Sequence, residues 1–231
     1  MTDIPGKDRH TASAFDRDLS ELRALISEMG GLAEVALDNA RMALTRGDSE
    51  LAKQVVENDR KIDVLEAQVG QHIIGLIVRR APMADDLREV LSAHRIAGIV
   101  ERVGDYSKTI AKRVPLLGNL FQSEPMPMVL DLLDGVREML KSALDSFAAR
   151  DAEAAQAVCS RDRDIDELYN RVFLALLAHM MSEPANIGAT AHLMFIAKSL
   201  ERVGDQATNL AELVYFTASG EQLPDRHATA G

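Results

Sequence analysis

Glu101-Arg102-Val103-Gly104-Asp105 recurs letter for letter as Glu201-Arg202-Val203-Gly204-Asp205, and this repetition decides the architecture. Upstream, Asp59-Arg60-Lys61-Ile62-Asp63-Val64-Leu65 aligns with Asp162-Arg163-Asp164-Ile165-Asp166-Glu167-Leu168 at a slightly larger offset. At that same offset Asp48 meets Asp151 and Val55 meets Val158. The chain therefore reads as one unit used twice.

Each unit contains three long segments with apolar residues one helical turn apart, as in Leu22, Leu25, Ile26 and Met29. The expected helices run near Phe15 to Arg46, Asp48 to Arg80, Pro82 to Pro115, Met126 to Arg150, Asp151 to Met181 and Pro184 to Ala218. Joints as short as Gly47-Asp48, Ala81-Pro82 and Glu183-Pro184 force antiparallel neighbours, and Pro82 and Pro184 suit a first helical turn. The expected fold is all-α, two tandem three-helix bundles related by internal duplication, covering residues 15–115 and 126–219. Residues 116–125, rich in breakers, are the expected linker. The polar ends, 1–14 and 220–231, are expected to be disordered.

Composition agrees. The chain has 231 residues, enough for a sizeable core, with no Trp and only 7 Pro, which favours helix bundles over sheets. A net charge of -10 argues against nucleic acid as the main partner. Met1 to Ser20 is too charged for a secretory signal, so a cytoplasmic location is expected. The apolar runs Ile73 to Val78 and Val172 to Met181 are shorter than the roughly 18 residues of a membrane span. Membrane association would be peripheral. Cys159, without a CxxC partner, reads as a small helix residue.

Candidate chemistry lies in carboxylates. Glu101 with Asp105, Glu201 with Asp205, Asp59 with Asp63 and Asp162 with Asp166 each sit one turn apart on one helix face. Like charges at that spacing repel by a few tenths of a kcal/mol unless a cation lies near. Arg60, Arg163, Lys108 and Lys198 offer one source of neutralisation, giving a solvated acidic face. The other is a hard divalent or trivalent ion such as Mg, Mn, Fe or Zn on oxygen ligands. Asn209 extends the second face one turn further, where the first half has Thr109. Glu66 extends the first outer face, where the second has Tyr169. The two sites are expected to be unequal. Gly104 and Gly204 weaken their helices by roughly 1 kcal/mol, which is tolerable where a ligand, a backbone or a packed helix must come close.

No Glu-x-x-His, HExxH, GxGxxG or GxxxxGK[ST] occurs, which removes ferritin-like di-iron, zincin, dinucleotide and P-loop chemistry. His94, His179 and His192 stand in helices without a nucleophile placed by any motif, and read as surface or core residues.

The string Leu200-Glu201-Arg202-Val203-Gly204-Asp205-Gln206-Ala207-Thr208-Asn209-Leu210-Ala211-Glu212 resembles the signature of the PhoU family, which carries one such motif in each of two three-helix halves. Ala81-Pro82-Met83-Ala84-Asp85-Asp86-Leu87-Arg88 and the stretch from Val214-Tyr215-Phe216 to Gly220 resemble family segments as well. Thr109 departs from the usual Asn, and Gln206 from a frequent His. The resemblance, spanning about Phe15 to Gly220, implies metal positions at Glu101, Asp105, Glu201, Asp205 and Asn209. It implies an adaptor rather than an enzyme: a cytoplasmic negative regulator linking the ATPase subunit of a phosphate ABC transporter to a sensor histidine kinase, working as a homodimer. Arg79, Arg80 and Arg88 form a basic cluster that could meet such partners or only solubilise. The alternatives are a metal-storage or metal-dependent hydrolytic bundle, and a plain helical scaffold without metal.

Overall fold

In the computed structural model, which describes residues 7–223 with side chains from Ala14 onward, the described chain is helical with no strand. The first half holds α1 (Lys7–Arg46), α2 (Ser49–Asn58), α3 (Arg60–Arg80) and α4 (Asp85–Arg113). The second holds α5 (Met126–Ala149), α6 (Ala152–Ser160), α7 (Asp162–Ser182) and α8 (Ile187–Ser219). The bundles are therefore three-helical in outline, with the middle helix of each broken into two pieces.

Matching signals start these outer helices. Asp48 Oδ1 accepts the backbone N–H groups of Glu50 and Leu51 at 3.1 and 3.0 Å, and Asp151 Oδ1 accepts that of Ala154 at 3.0 Å. Each carboxylate satisfies donors that the first turn leaves unpaired. The breaks at Asp59 and Arg161 carry no proline or glycine. There the bonding tightens to three-residue steps, Ile62 N–H to the Asp59 carbonyl at 2.9 Å and Asp164 N–H to the Arg161 carbonyl at 3.1 Å.

Helices α1, α4, α5 and α8 form an inner layer, with α2 and α3 flanking one side and α6 and α7 the other. Leu22, Ile26, Met29 and Leu37 of α1, Val100 and Val103 of α4, Leu132 and Val136 of α5 and Leu200 and Val203 of α8 belong to one continuous buried core that crosses both halves. Helix α1 meets α5 and α4 meets α8 in antiparallel fashion. Reciprocal pairs mark both seams. Arg41 Nε donates to Asp134 Oδ1 at 2.5 Å while Arg137 pairs with Asp38, and the Arg88 guanidinium lies 5.4 Å from the Phe216 ring while Arg113 lies 4.9 Å from Phe195.

Several boundaries differ from expectation. Helix α1 begins at Lys7 rather than near Phe15, and of the ends expected to be disordered, residues 1–6 and 224–231 lie outside the described residues. Pro82 and Pro184 do not open α4 and α8. Ala81 closes α3 in the left-handed region at φ 44°, its N–H bonding the Ile77 carbonyl at 2.9 Å, and α4 starts only at Asp85. Pro184 opens a short 3₁₀ turn ahead of α8. The linker is packed: it makes two 3₁₀ turns, buries Leu117 and Leu120, and sets the Phe121 ring beside Gly47, whose φ of +64° reverses the chain after α1.

Candidate metal-binding faces

The two ERVGD segments lie in the middle of α4 and α8, where the broken outer helices press against them. A Cβ placed on Gly104 would stand 2.8 Å from Ile62 Cδ1 and 3.2 Å from Asp59 Oδ1, and one on Gly204 would stand 3.2 Å from Ile165 Cγ2. Helix-to-helix approach thus accounts for both glycines. The same approach brings the acidic residues of the outer helices toward Glu101 and Asp105 in one half, and Glu201 and Asp205 in the other.

In the second half the oxygens close up. One carboxylate oxygen from each of Asp166, Glu201 and Asp205 lies within 4.8 Å of the other two. Lys198 Nζ sits 2.6 Å from Glu201 Oε2 and 5.3 Å from the Tyr169 ring centre, partly neutralising the group. Asp162 joins from the start of α7, its Oδ1 accepting the Thr208 hydroxyl at 2.7 Å. Loss of surrounding water, and then the neighbouring Glu201, Asp162 and Asp166 carboxylates, push the Asp205 carboxyl up to about 6, with Lys198 pulling the other way. An oxygen-only set of carboxylates suits a hard cation.

The first half is arranged differently. Burial, then Asp105, Asp63 and Glu66, raise the Glu101 carboxyl above its ordinary value, so these four acids share one neighbourhood. Asp59 is withdrawn from it: only 4% exposed at the helix break, it receives Lys108 Nζ at 2.5 Å. The same ammonium reaches Asp105 Oδ1 at 3.0 Å, and these bonds raise the Lys108 pKa. A protein cation thus stands between two of the expected ligands. Among the described residues no triad of oxygens here closes to the separation found around Glu201.

Of the lysines and arginines expected to neutralise these faces, Lys108 and Lys198 do so, while Arg163 pairs with Glu167 at 3.1 Å. Asn209 lines a cleft beside Gln206, Arg102 and Glu66. The basic cluster is engaged within the chain. Arg80 Nε donates to Asp18 at 3.0 Å and holds that carboxyl below its ordinary value against burial, Arg79 stands 3.8 Å from the same group, and Arg88 pairs with Asp85 at 2.9 Å. Asp18, Glu21 and His72 also converge within 4.8 Å, a grouping no local motif announced because it joins α1 to α3. The two arginines already pair with its Asp18 carboxylate.

Fold and faces together define a class: a duplicated helical scaffold in which α4 and α8 each present an acidic face, with a closely packed glycine, to a broken outer helix. The family follows from direct comparison. The PhoU domain matches twice, over residues 26–114 and 129–214, and the chain belongs to the PhoU family. It is 50% identical over 217 residues to the phosphate-specific transport system accessory protein PhoU homolog of Zymomonas mobilis, covering 94% of this chain and 92% of that one. The Rhizobium meliloti homolog of the same name is 42% identical, covering 92% and 90%. The crystal structure of PhoU from Pseudomonas aeruginosa superposes with a TM-score of 0.85 at 33% identity, over 90% of this chain and all of that one.

Proposed function

We propose that this chain is an accessory regulator of a phosphate-specific transport system and acts as an adaptor, not an enzyme. The observation that carries this reading is the double match of the PhoU domain, with relatives named as transport accessory proteins over nearly their whole length. Its partners in this reading are the transporter's ATPase subunit and a sensor histidine kinase, whose starvation signalling it restrains. It would do so in the cytoplasm and as a homodimer. No described helix is long and apolar enough to cross a membrane. Val64, Ile74 and Val78 on α3 and Leu174 and Met181 on α7 are more than half exposed, a supply of apolar contact on both outer flanks.

Within this reading a metal ion sits at the second-half face, on Asp166, Glu201 and Asp205 with Asp162 adjoining and Lys198 beside it. The residues present fit it. The first-half face, with Glu101, Asp105 and Asp63, is the weaker site because Lys108 already serves Asp59 and Asp105.

The test joins metal content to partner capture. Purified protein loaded with Mn, Fe, Mg or Zn is expected to retain one ion per chain more tightly than any other, and Glu201→Gln with Asp205→Asn to lose it. Capture of the ATPase subunit and the kinase from phosphate-replete cells is expected to weaken in the same variant. Phosphatase turnover that depends on these carboxylates would overturn the adaptor in favour of a hydrolytic bundle.

A further inference from the structure

We propose that the outer face of α7 docks on the same face of a second copy of this chain, with the two helices antiparallel. This rests on the homodimer reading above and gives it a surface. From Val172 to Ser182, α7 carries no Lys, Arg, Asp or Glu. Val172 and Leu176 are buried in the chain's own core. Leu174, Leu177, Ala178 and Met181 recur at three- and four-residue steps on another side of the helix, and with Phe173 all are exposed. Leu174 is 63% and Met181 78% exposed, so nothing in the described chain covers this face. A contiguous apolar stripe stands where a solvated helix face would carry charge.

Charge says what covers it. With a net charge of -10, two copies repel wherever their carboxylates face each other, and an uncharged face lets them approach. The apolar run ends on Arg171 at one side and Glu183 at the other, both exposed, and among the described residues neither makes an ion pair. Arg171 lies six residues before Leu177 and Glu183 six after it. When two copies of α7 cross antiparallel at Leu177, the arginine of each comes level with the glutamate of the other, once at each end of the stripe. Opposite charges flanking an apolar seam fix partner and direction between paired helices. A parallel pairing would set like charges together. On α3 the exposed Val64, Ile74 and Val78 are interrupted by the exposed Gln68 and Gln71, and the basic pair that follows, Arg79 and Arg80, is held on Asp18. The first half therefore lacks both the unbroken stripe and the free end charges.

Sedimentation velocity on the full chain over a dilution series tests the surface. The unaltered chain is expected to dimerise reversibly. Leu174→Arg and Leu177→Asp are each expected to weaken the dimer by about a hundredfold or more, with the helical circular dichroism unchanged because both side chains are exposed. Arg171→Glu and Glu183→Arg are each expected to weaken it about tenfold, and the double variant to recover most of that loss. Ile74→Arg on α3 is expected to dimerise as the unaltered chain does. A dimer that Leu174→Arg and Leu177→Asp leave intact, or one lost in Ile74→Arg, would overturn the α7 assignment while the homodimer reading stands. A double variant no stronger than the single ones would overturn the antiparallel pairing. A chain that is monomeric at every concentration would overturn both this inference and the homodimer reading.

Discussion

Replacing Asp205 with Asn should stabilise the metal-free protein at neutral pH, and the gain should vanish in acid. In the folded chain the Asp205 carboxyl is raised from 3.8 to about 6, by loss of water first and then by Glu201, Asp162 and Asp166. A carboxyl raised on folding favours the folded state only while protonated. Folding stability therefore falls as pH rises from about 4 through about 6, and stays at the lower level above that range. The full shift would correspond to at most about 3 kcal/mol. Asp205 keeps contact with solvent, which screens the repulsion, so about 1 kcal/mol is the expected size. Asparagine keeps the shape and removes the charge. Urea denaturation in EDTA at steps from about pH 4 to pH 8 is the assay, with the difference in midpoint growing across the titration range. Excess Mn should reverse the order at neutral pH, because only the unaltered face gains the binding energy of the ion. A variant less stable than the parent in EDTA at neutral pH would refute the reasoning, as would a difference that persists undiminished at about pH 4.

Lys108→Met should destabilise by about 3 kcal/mol, because it strands the nearly buried Asp59 carboxylate. Adding Asp59→Asn should recover most of that loss in chemical denaturation. Gly70→Ala, where an added Cβ meets nothing within 4 Å, should gain about 1 kcal/mol of helix stability. Gly104→Ala should forfeit that gain and lower the melting temperature, since its Cβ would meet Ile62 Cδ1 at 2.8 Å and Asp59 Oδ1 at 3.2 Å.

What the sequence made legible was what repeats locally. The ERVGD pair, the matched aspartates ahead of Leu65 and Leu168 and the one-turn apolar spacing were enough for an all-helical duplication. They also placed Glu201 and Asp205 on one face, which the packing of α7 against α8 completes with Asp166. The breaks at Asp59 and Arg161 escaped notice because neither site carries a helix-breaking residue. Each lies about one turn ahead of the isoleucine, Ile62 or Ile165, that packs on a glycine of an inner helix. The cleft lined by Asn209 was hidden for a similar reason: Arg102 and Gln206 are far apart in the chain and line one cleft only because α4 packs against α8. The role of Lys108 was half visible. Its i,i+3 spacing from Asp105 is local, but its bond to Asp59 depends on the break.

The reciprocal pairs Arg41 with Asp134 and Arg137 with Asp38 join the same Asp-x-x-Arg pattern from each half to its counterpart. A half-turn about an axis between α1 and α5 would carry one pair onto the other. This is the self-complementary geometry of an isologous dimer, written into a single polypeptide. Each half thus carries the complement of its own surface, and the short connection through Leu117 and Leu120 works as a tether that keeps the effective concentration of the proper partner high. Severed at that tether, the fragments would have two ways to pair, with each other or with themselves. Fusion leaves one, and with it a molecule whose two sides were free to diverge.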